Sequence, residues 1–301
     1  MKTLRDMVLS LIDSIELYKQ VGHRNTYLFE WLYDVYKDTC LSCVDPTYVP
    51  DLVLTKTKLT IFDVLIDDIA DNAKTRNKEL LLRLINIPFN NVAHADKYYT
   101  ITNQIWIDCL NTIKHFPRYS EFEDIFFFDL KQIMISMEYS WLTNVYNYCN
   151  NFIEVDNYGH HGVMVMLHCM MDIMCSKNFD KNELGKARTA FFLAQRIARI
   201  GNMLNTYSRE IIEKDISSPI LTKTIEENII SYSDFDELPS SEIEKRVKNL
   251  EPLFAEEVTT YLDKITEISK RVHSVDLQKF MLDRKSIHEK FIKRIRYWES
   301  K

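Results

Sequence analysis

Asn202, Thr206 and Glu210 recur every four residues within the stretch Asn-Met-Leu-Asn-Thr-Tyr-Ser-Arg-Glu. In a helix that spacing returns each side chain to nearly the same face, so an amide oxygen, a hydroxyl and a carboxylate form one stripe. An all-oxygen stripe suits a hard cation such as Mg2+ and not zinc or copper. A second set stands at 61–71, where Asp63, Asp67 and Asp71 obey the same spacing and Asp68 sits beside them. Their neighbours are Phe62, Val64, Leu65, Ile66 and Ile69, not the Lys and Arg that would pair with acids on a solvated helix face. These carboxylates are therefore expected to border a cavity, where they repel one another and need cations to stay ionised. A solvated acidic face is the alternative.

The elements that must hold both stripes are helical. The chain of 301 residues has 46% hydrophobic content, ample for a core, with only 5 Gly and 7 Pro but 16 Tyr and 16 Phe. Periodicity predicts an amphipathic start to about residue 21, a helix over 24–37, a loop carrying Cys40, Cys43, Pro46 and Pro50, and a helix from near Leu59. No proline falls between Pro117 and Pro219, and helical patterns cover 126–149, 162–175 and 184–214, with breaks at 157–159 and 176–181. A long helix over 241–272, divided at Pro252, and a last one over 275–298 complete a single all-α domain spanning 1–301. No repeat or Gly/Ser-rich linker divides it.

The formal net charge of -6 opposes nucleic acid or an anionic membrane as partner. No apolar run reaches the roughly 20 residues of a membrane span, and the acid-bearing N-terminal segment is no signal peptide, so a cytoplasmic protein is expected. The six Cys lack regular spacing and read as reduced thiols. Cys40 and Cys43 form one C-x-x-C with no second pair, which reads as a loop coincidence more readily than as zinc. His168, Cys169, Asp172 and Cys175 lie in a Met-rich helix and read as core filling.

The segment DDIAD at 67–71 resembles the D-D-x-x-D motif of class I terpene synthases, and Asn202-x3-Thr206-x3-Glu210 resembles their second metal-binding triad. The interval between the two is similar to the family's, and Arg296-Tyr297 resembles the Arg-Tyr pair that ends many microbial members. The resemblance implies a helical bundle of the class I isoprenoid synthase type around a central active-site cavity. It implies three Mg2+ ions on the diphosphate of a linear prenyl substrate, farnesyl or geranylgeranyl diphosphate, held by Asp67, Asp68, Asp71, Asn202, Thr206 and Glu210, with Asp63 as a further candidate ligand. Arg209, Lys214, Arg296 and Tyr297 become donors to the diphosphate. Phe62, Tyr139, Trp141, Tyr146, Tyr158 and Trp298 become candidates to face a carbocation through their rings, although aromatics at helical spacing are more often plain core. A homodimer is usual among related enzymes.

The chain departs from the pattern at one place. Where many microbial members carry a diphosphate-sensing arginine upstream of the second motif, Asp156 stands, and no Arg lies within 154–162; His160 and His161 are the nearby alternatives. A prenyl-chain elongating enzyme of the same fold would carry a second Asp-rich motif where this chain has Asn202-Thr206-Glu210, so the triad favours cyclisation. A non-catalytic helical scaffold is the reading from a different class. A His-Asp phosphohydrolase is disfavoured because the chain contains no His-Asp dipeptide.

Overall fold

The computed structural model describes residues 9–90 and 94–292, with side chains to residue 287. Fourteen α-helices and no strand occur among the described residues. Arg296, Tyr297 and Trp298 lie outside them.

The first helix, α1 (Leu11–Tyr18), starts on a capping box in which Ser10 Oγ accepts from the Asp13 N–H and Asp13 Oδ2 accepts from the Ser10 N–H, both at 3.1 Å. A helix α2 (Tyr27–Asp38) follows, then α3 (Val49–Ala70). α3 begins ten residues earlier than the Leu59 start predicted from periodicity, because Pro50 occupies its first turn. A first-turn proline has no N–H to leave unpaired and its fixed φ suits the helix, so here it opens an element where it was read as loop. From Leu52 to Ala70 every residue except Leu54 and Asp67 is buried. A helix buried on all sides is the centre of a fold, and α3 packs against α1, α2, α4 (Lys78–Ile85), α5 (Lys97–Ile113), α6 (Tyr119–Val145) and α8 (Val165–Met174).

Two lysines sit in that buried stretch, and each is paired. Lys56 meets Asp172 of α8, with side chains 2% and 1% exposed, and Lys58 meets Asp108 of α5. Asp172 also accepts from the Leu41 N–H at 3.1 Å, while His168, Cys169 and Cys175 are buried around it. The Met-rich helix is thus core, and all six cysteines are free.

Between α6 and α8 the backbone breaks. α7 (Phe152–Gly159) ends in a 3-10 turn at His160–Val163, and Met164 turns the chain at φ 58 before α8 starts. The thirty-residue α9 (Leu184–Glu213) then packs against α8, α10 (Pro219–Glu226), α12 (Ser240–Val247), α13 (Glu251–Ser269) and α14 (Leu277–Ile292), with the short α11 (Asp234–Glu237) beside α12. The long pattern over 241–272 divides at a 3-10 turn, Lys248–Leu250, and Pro252 opens α13. Because α8 packs against both α3 and α9, these two helices stand as facing walls.

Candidate active site

A cavity of about 280 Å3 lies between those walls. From α3 it is lined by Asp63, Asp67 and Asp68 and by Asp71 at its C-cap, and from α9 by Asn202, Thr206, Glu210 and Arg209. Every candidate metal ligand read from the sequence therefore faces one space. Thr206 and Glu210 are each 4% exposed and Asn202 is half-buried, so the stripe runs from the rim into the interior and is not a solvated surface face. Thr206 Oγ1 is 2.6 Å from Glu210 Oε1 and orients it, while Glu210 Oε2 is buried without a hydrogen bond.

Electrostatics separate the α3 carboxylates. Burial, then the Asp67 charge, pushes Asp63 well above the usual carboxylate range. Asp71 is pushed well up by burial and by Asp67 and Asp215, although Ser140 Oγ hydrogen-bonds it. Asp67 moves the other way, because the Arg24 guanidinium overcomes the burial that opposes it. Arg24 holds Asp67 through Nη2 and Asp68 Oδ1 through Nε at 2.6 Å. Its own N–H donates to the Tyr18 hydroxyl at 2.8 Å, and that hydroxyl reaches Asp68 at 3.4 Å. The turn depends on Gly22, since a Cβ there would stand 2.3 Å from the Tyr18 ring.

The α9 wall carries a cation that the sequence reading did not single out. Arg199 lines the cavity three residues before Asn202, reaching Asn202 Oδ1 at 3.3 Å and the Ser217 carbonyl at 3.4 Å, and its Nε is buried with no partner. It lies against the helix break, where a Cβ on Gly159 would stand 3.6 Å from its nitrogens. Asp156, at the position expected to hold an arginine, is paired instead by Arg196, whose Nε also donates to the Tyr261 hydroxyl at 2.8 Å. A signal existed: Arg199 shares a helix face with Asn202 by the i,i+3 rule.

Other candidates fall outside the cavity lining. Lys214 caps α9 in the left-handed region at φ 55, which turns it away to pair with Asp236, and its side chain is 53% exposed. Phe62 is buried against Trp106, with ring centroids 5.4 Å apart. Trp141 packs edge-on to Tyr146 beneath Lys78, and Tyr158 stacks 4.6 Å from Tyr139. Of the described aromatic candidates only Tyr139 lines the cavity, together with Trp31 and Tyr36, which sequence reading passed over.

His160 and His161 sit stacked at the break, with centroids 4.2 Å apart. His160 Nδ1 lies 2.7 Å from the Asp156 carbonyl and Nε2 is buried without a partner. Burial depresses both imidazoles to about 4. A depressed histidine stays neutral in the fold while the unfolded chain takes up its proton, so its contribution is full above about 6.5 and lost as pH falls toward 4. Between pH 7 and 5 the wild type should lose about 2 kcal/mol relative to His160→Gln, read as the difference between their urea-unfolding curves. Equal pH dependence in the two proteins would show that His160 is protonated in the fold.

No protein-family model matches the sequence, and the comparison with curated proteins found no match. Among solved structures, the chain is similar to isoprene synthase from grey poplar leaves (Populus x canescens) in complex with three Mg2+ ions and dimethylallyl-S-thiolodiphosphate, with a TM-score of 0.57 and 15% identity over 93% of this chain. A second structure of isoprene synthase from the same source gives a TM-score of 0.57 at 14% identity. The chain covers 53% of each of these proteins. The likeness establishes the helical terpene synthase fold.

Proposed function

We propose that this protein is a Mg2+-dependent class I terpene synthase that ionises a linear prenyl diphosphate, farnesyl or geranylgeranyl diphosphate, cyclises the carbocation and releases diphosphate. One observation carries the reading: Asp67 and Asp71 on α3 and Asn202, Thr206 and Glu210 on α9 line the same cavity, whose remaining wall includes Leu28, Trp31, Leu32 and Met137. The isoprene synthase with the similar fold holds three Mg2+ ions and a thiolodiphosphate, which supports the same ion and substrate class here.

The donor set fits the ion. All its atoms are oxygens, and Glu210 Oε2 is buried without a partner. Among the described residues no three His, Cys, Asp or Glu side chains converge into a ready-made cage. Mg2+ fits such walls because it is commonly held by one or two carboxylates together with substrate phosphates. Bound there, it would neutralise the diphosphate and make it a better leaving group.

The protein's own groups do the rest. Arg199 and Arg209 donate hydrogen bonds to the departing diphosphate from the α9 side. Arg24, the counter-ion of Asp67 and Asp68, lines the cavity as a third cation. Tyr139 and Trp31 line the cavity, and their rings would stabilise the carbocation by about 0.5–2 kcal/mol each.

Incubation of the protein with Mg2+ and geranyl, farnesyl or geranylgeranyl diphosphate, with and without isopentenyl diphosphate, tests this by mass spectrometry of the extract. Cyclic terpenes from the allylic substrate alone are expected. Elongated diphosphates appearing only with isopentenyl diphosphate would make it a chain-elongating enzyme, and inert substrates would leave a helical scaffold.

A further inference from the structure

The inner part of the cavity carries polar groups that diphosphate binding does not need. Asp63 lies one turn inward of Asp67, about 6 Å along the helix axis at 1.5 Å per residue. It lines the cavity at 6% exposure, and its Oδ1 is buried with no hydrogen-bond partner. Tyr36 and Thr60 line the same region, with their hydroxyls 2.8 Å apart. Thr60 donates to the Lys56 carbonyl at 3.0 Å, so the Tyr36 hydroxyl donates to Thr60, and both oxygens keep lone pairs for a further partner. Val64, Leu32 and Met164 line the cavity beside them and offer no hydrogen bond. A buried carboxyl oxygen without a partner is costly, and a water molecule relieves that cost where several polar groups surround it.

We propose that Asp63 and the Tyr36–Thr60 pair hold one water molecule at the inner end of the cavity, the water donating one hydrogen bond to Asp63 Oδ1 and the other to a hydroxyl oxygen of the pair, and that this water ends the reaction, so that the product is a terpene alcohol and not a hydrocarbon. The inference rests on the terpene synthase reading above. A lone pair of the water forms the new C–O bond to the cationic carbon. One O–H bond of that water breaks, and its proton passes to Asp63 Oδ1 and then to solvent as the product leaves. One prenyl diphosphate and one water become one alcohol, one diphosphate and one proton, with no oxidant or reductant.

The test runs the wild-type protein with Mg2+ and farnesyl diphosphate in H2(18)O, counting diphosphate release and products separately. The expected main product is an alcohol carrying one 18O. Per diphosphate released, the share of alcohol should fall at least tenfold in Asp63→Asn and several-fold in Thr60→Val and Tyr36→Phe, with alkenes taking its place. The wild-type labelling needs no variant, and the two hydroxyl variants keep the proposal testable should Asp63→Asn fail to fold. Diphosphate release with hydrocarbon products alone overturns the water site and leaves the synthase reading standing. Unlabelled alcohol means cleavage at phosphorus, and it overturns the proposal as well. An Asp63→Asn protein that needs more Mg2+ but makes the same share of alcohol makes Asp63 a metal ligand and overturns it too. No diphosphate release from the wild type takes both readings down.

Discussion

Glu210→Gln is expected to lower Mg2+-dependent diphosphate release by about 10^2–10^3-fold, the effect of removing one group that stabilises developing charge, while raising the melting temperature of the metal-free protein. The two effects have one cause. Glu210 is held at the cavity wall by Thr206, is buried, and leaves Oε2 unpaired. Burial, with the Asp215 carboxylate, raises its proton affinity, and Arg199 and Arg209 only partly offset this. A raised carboxyl keeps its proton where the unfolded chain has already released it, so stability is lost as pH rises from about 4.5 through the folded value. Glutamine has no such loss. The variant should therefore gain over the wild type between pH 5 and pH 8, with a rise of about 2–4 °C for each kcal/mol in a chain of this size. A functional site kept at the expense of stability behaves this way. A structural stripe would do the reverse: a lower melting temperature with near-normal turnover, in both Glu210→Gln and Asp67→Asn, would sink the assignment.

Spacing along one helix was the part of the site that could be read directly. Asp63, Asp67 and Asp71, and Asn202, Thr206 and Glu210, are each a single face of α3 or α9, and a helix face is fixed by local geometry. Their apolar neighbours announced burial as well. What spacing does not encode is contact across the chain. Arg24 comes from the turn between α1 and α2, and its pairing with Asp67 and Asp68 exists only once α1 packs on α3. The aromatic candidates show the same limit from another side. Phe62 adjoins Asp63 in sequence, but one residue is a rotation of about 100°, enough to send the ring to Trp106 while the carboxyl faces the cavity. Leu28, Trp31 and Leu32, by contrast, form an i,i+3,i+4 group on α2 that lines the cavity, so a helical pattern usually read as core here supplies an open wall. Pro50 carried two meanings, loop or first turn, and only the packing of α3 chooses between them.

Arg199→Gln is the second large effect, about 10^2–10^3-fold in kcat with little change in stability. The reasoning turns on how weakly Arg199 is engaged in the fold. Its bonds to Asn202 and Ser217 are 3.3 and 3.4 Å and its Nε makes none, so glutamine removes only long contacts. A guanidinium that the fold leaves largely unspent, in a cavity walled by the oxygen triad, is poised for an anion that arrives with substrate. Arg199→Lys keeps the charge but not the planar fork, and should recover part of the rate. Arg196 is the control three residues away. It pairs with Asp156 and Tyr261 and does not line the cavity, so Arg196→Gln should cost stability and leave the rate per folded molecule close to wild type. Steady-state kinetics beside urea denaturation of the two variants separates the roles. Were Arg199→Gln to turn over within a few-fold of wild type, or Arg196→Gln to lose the rate instead, the cation at the helix break would lie on the Asp156 side after all.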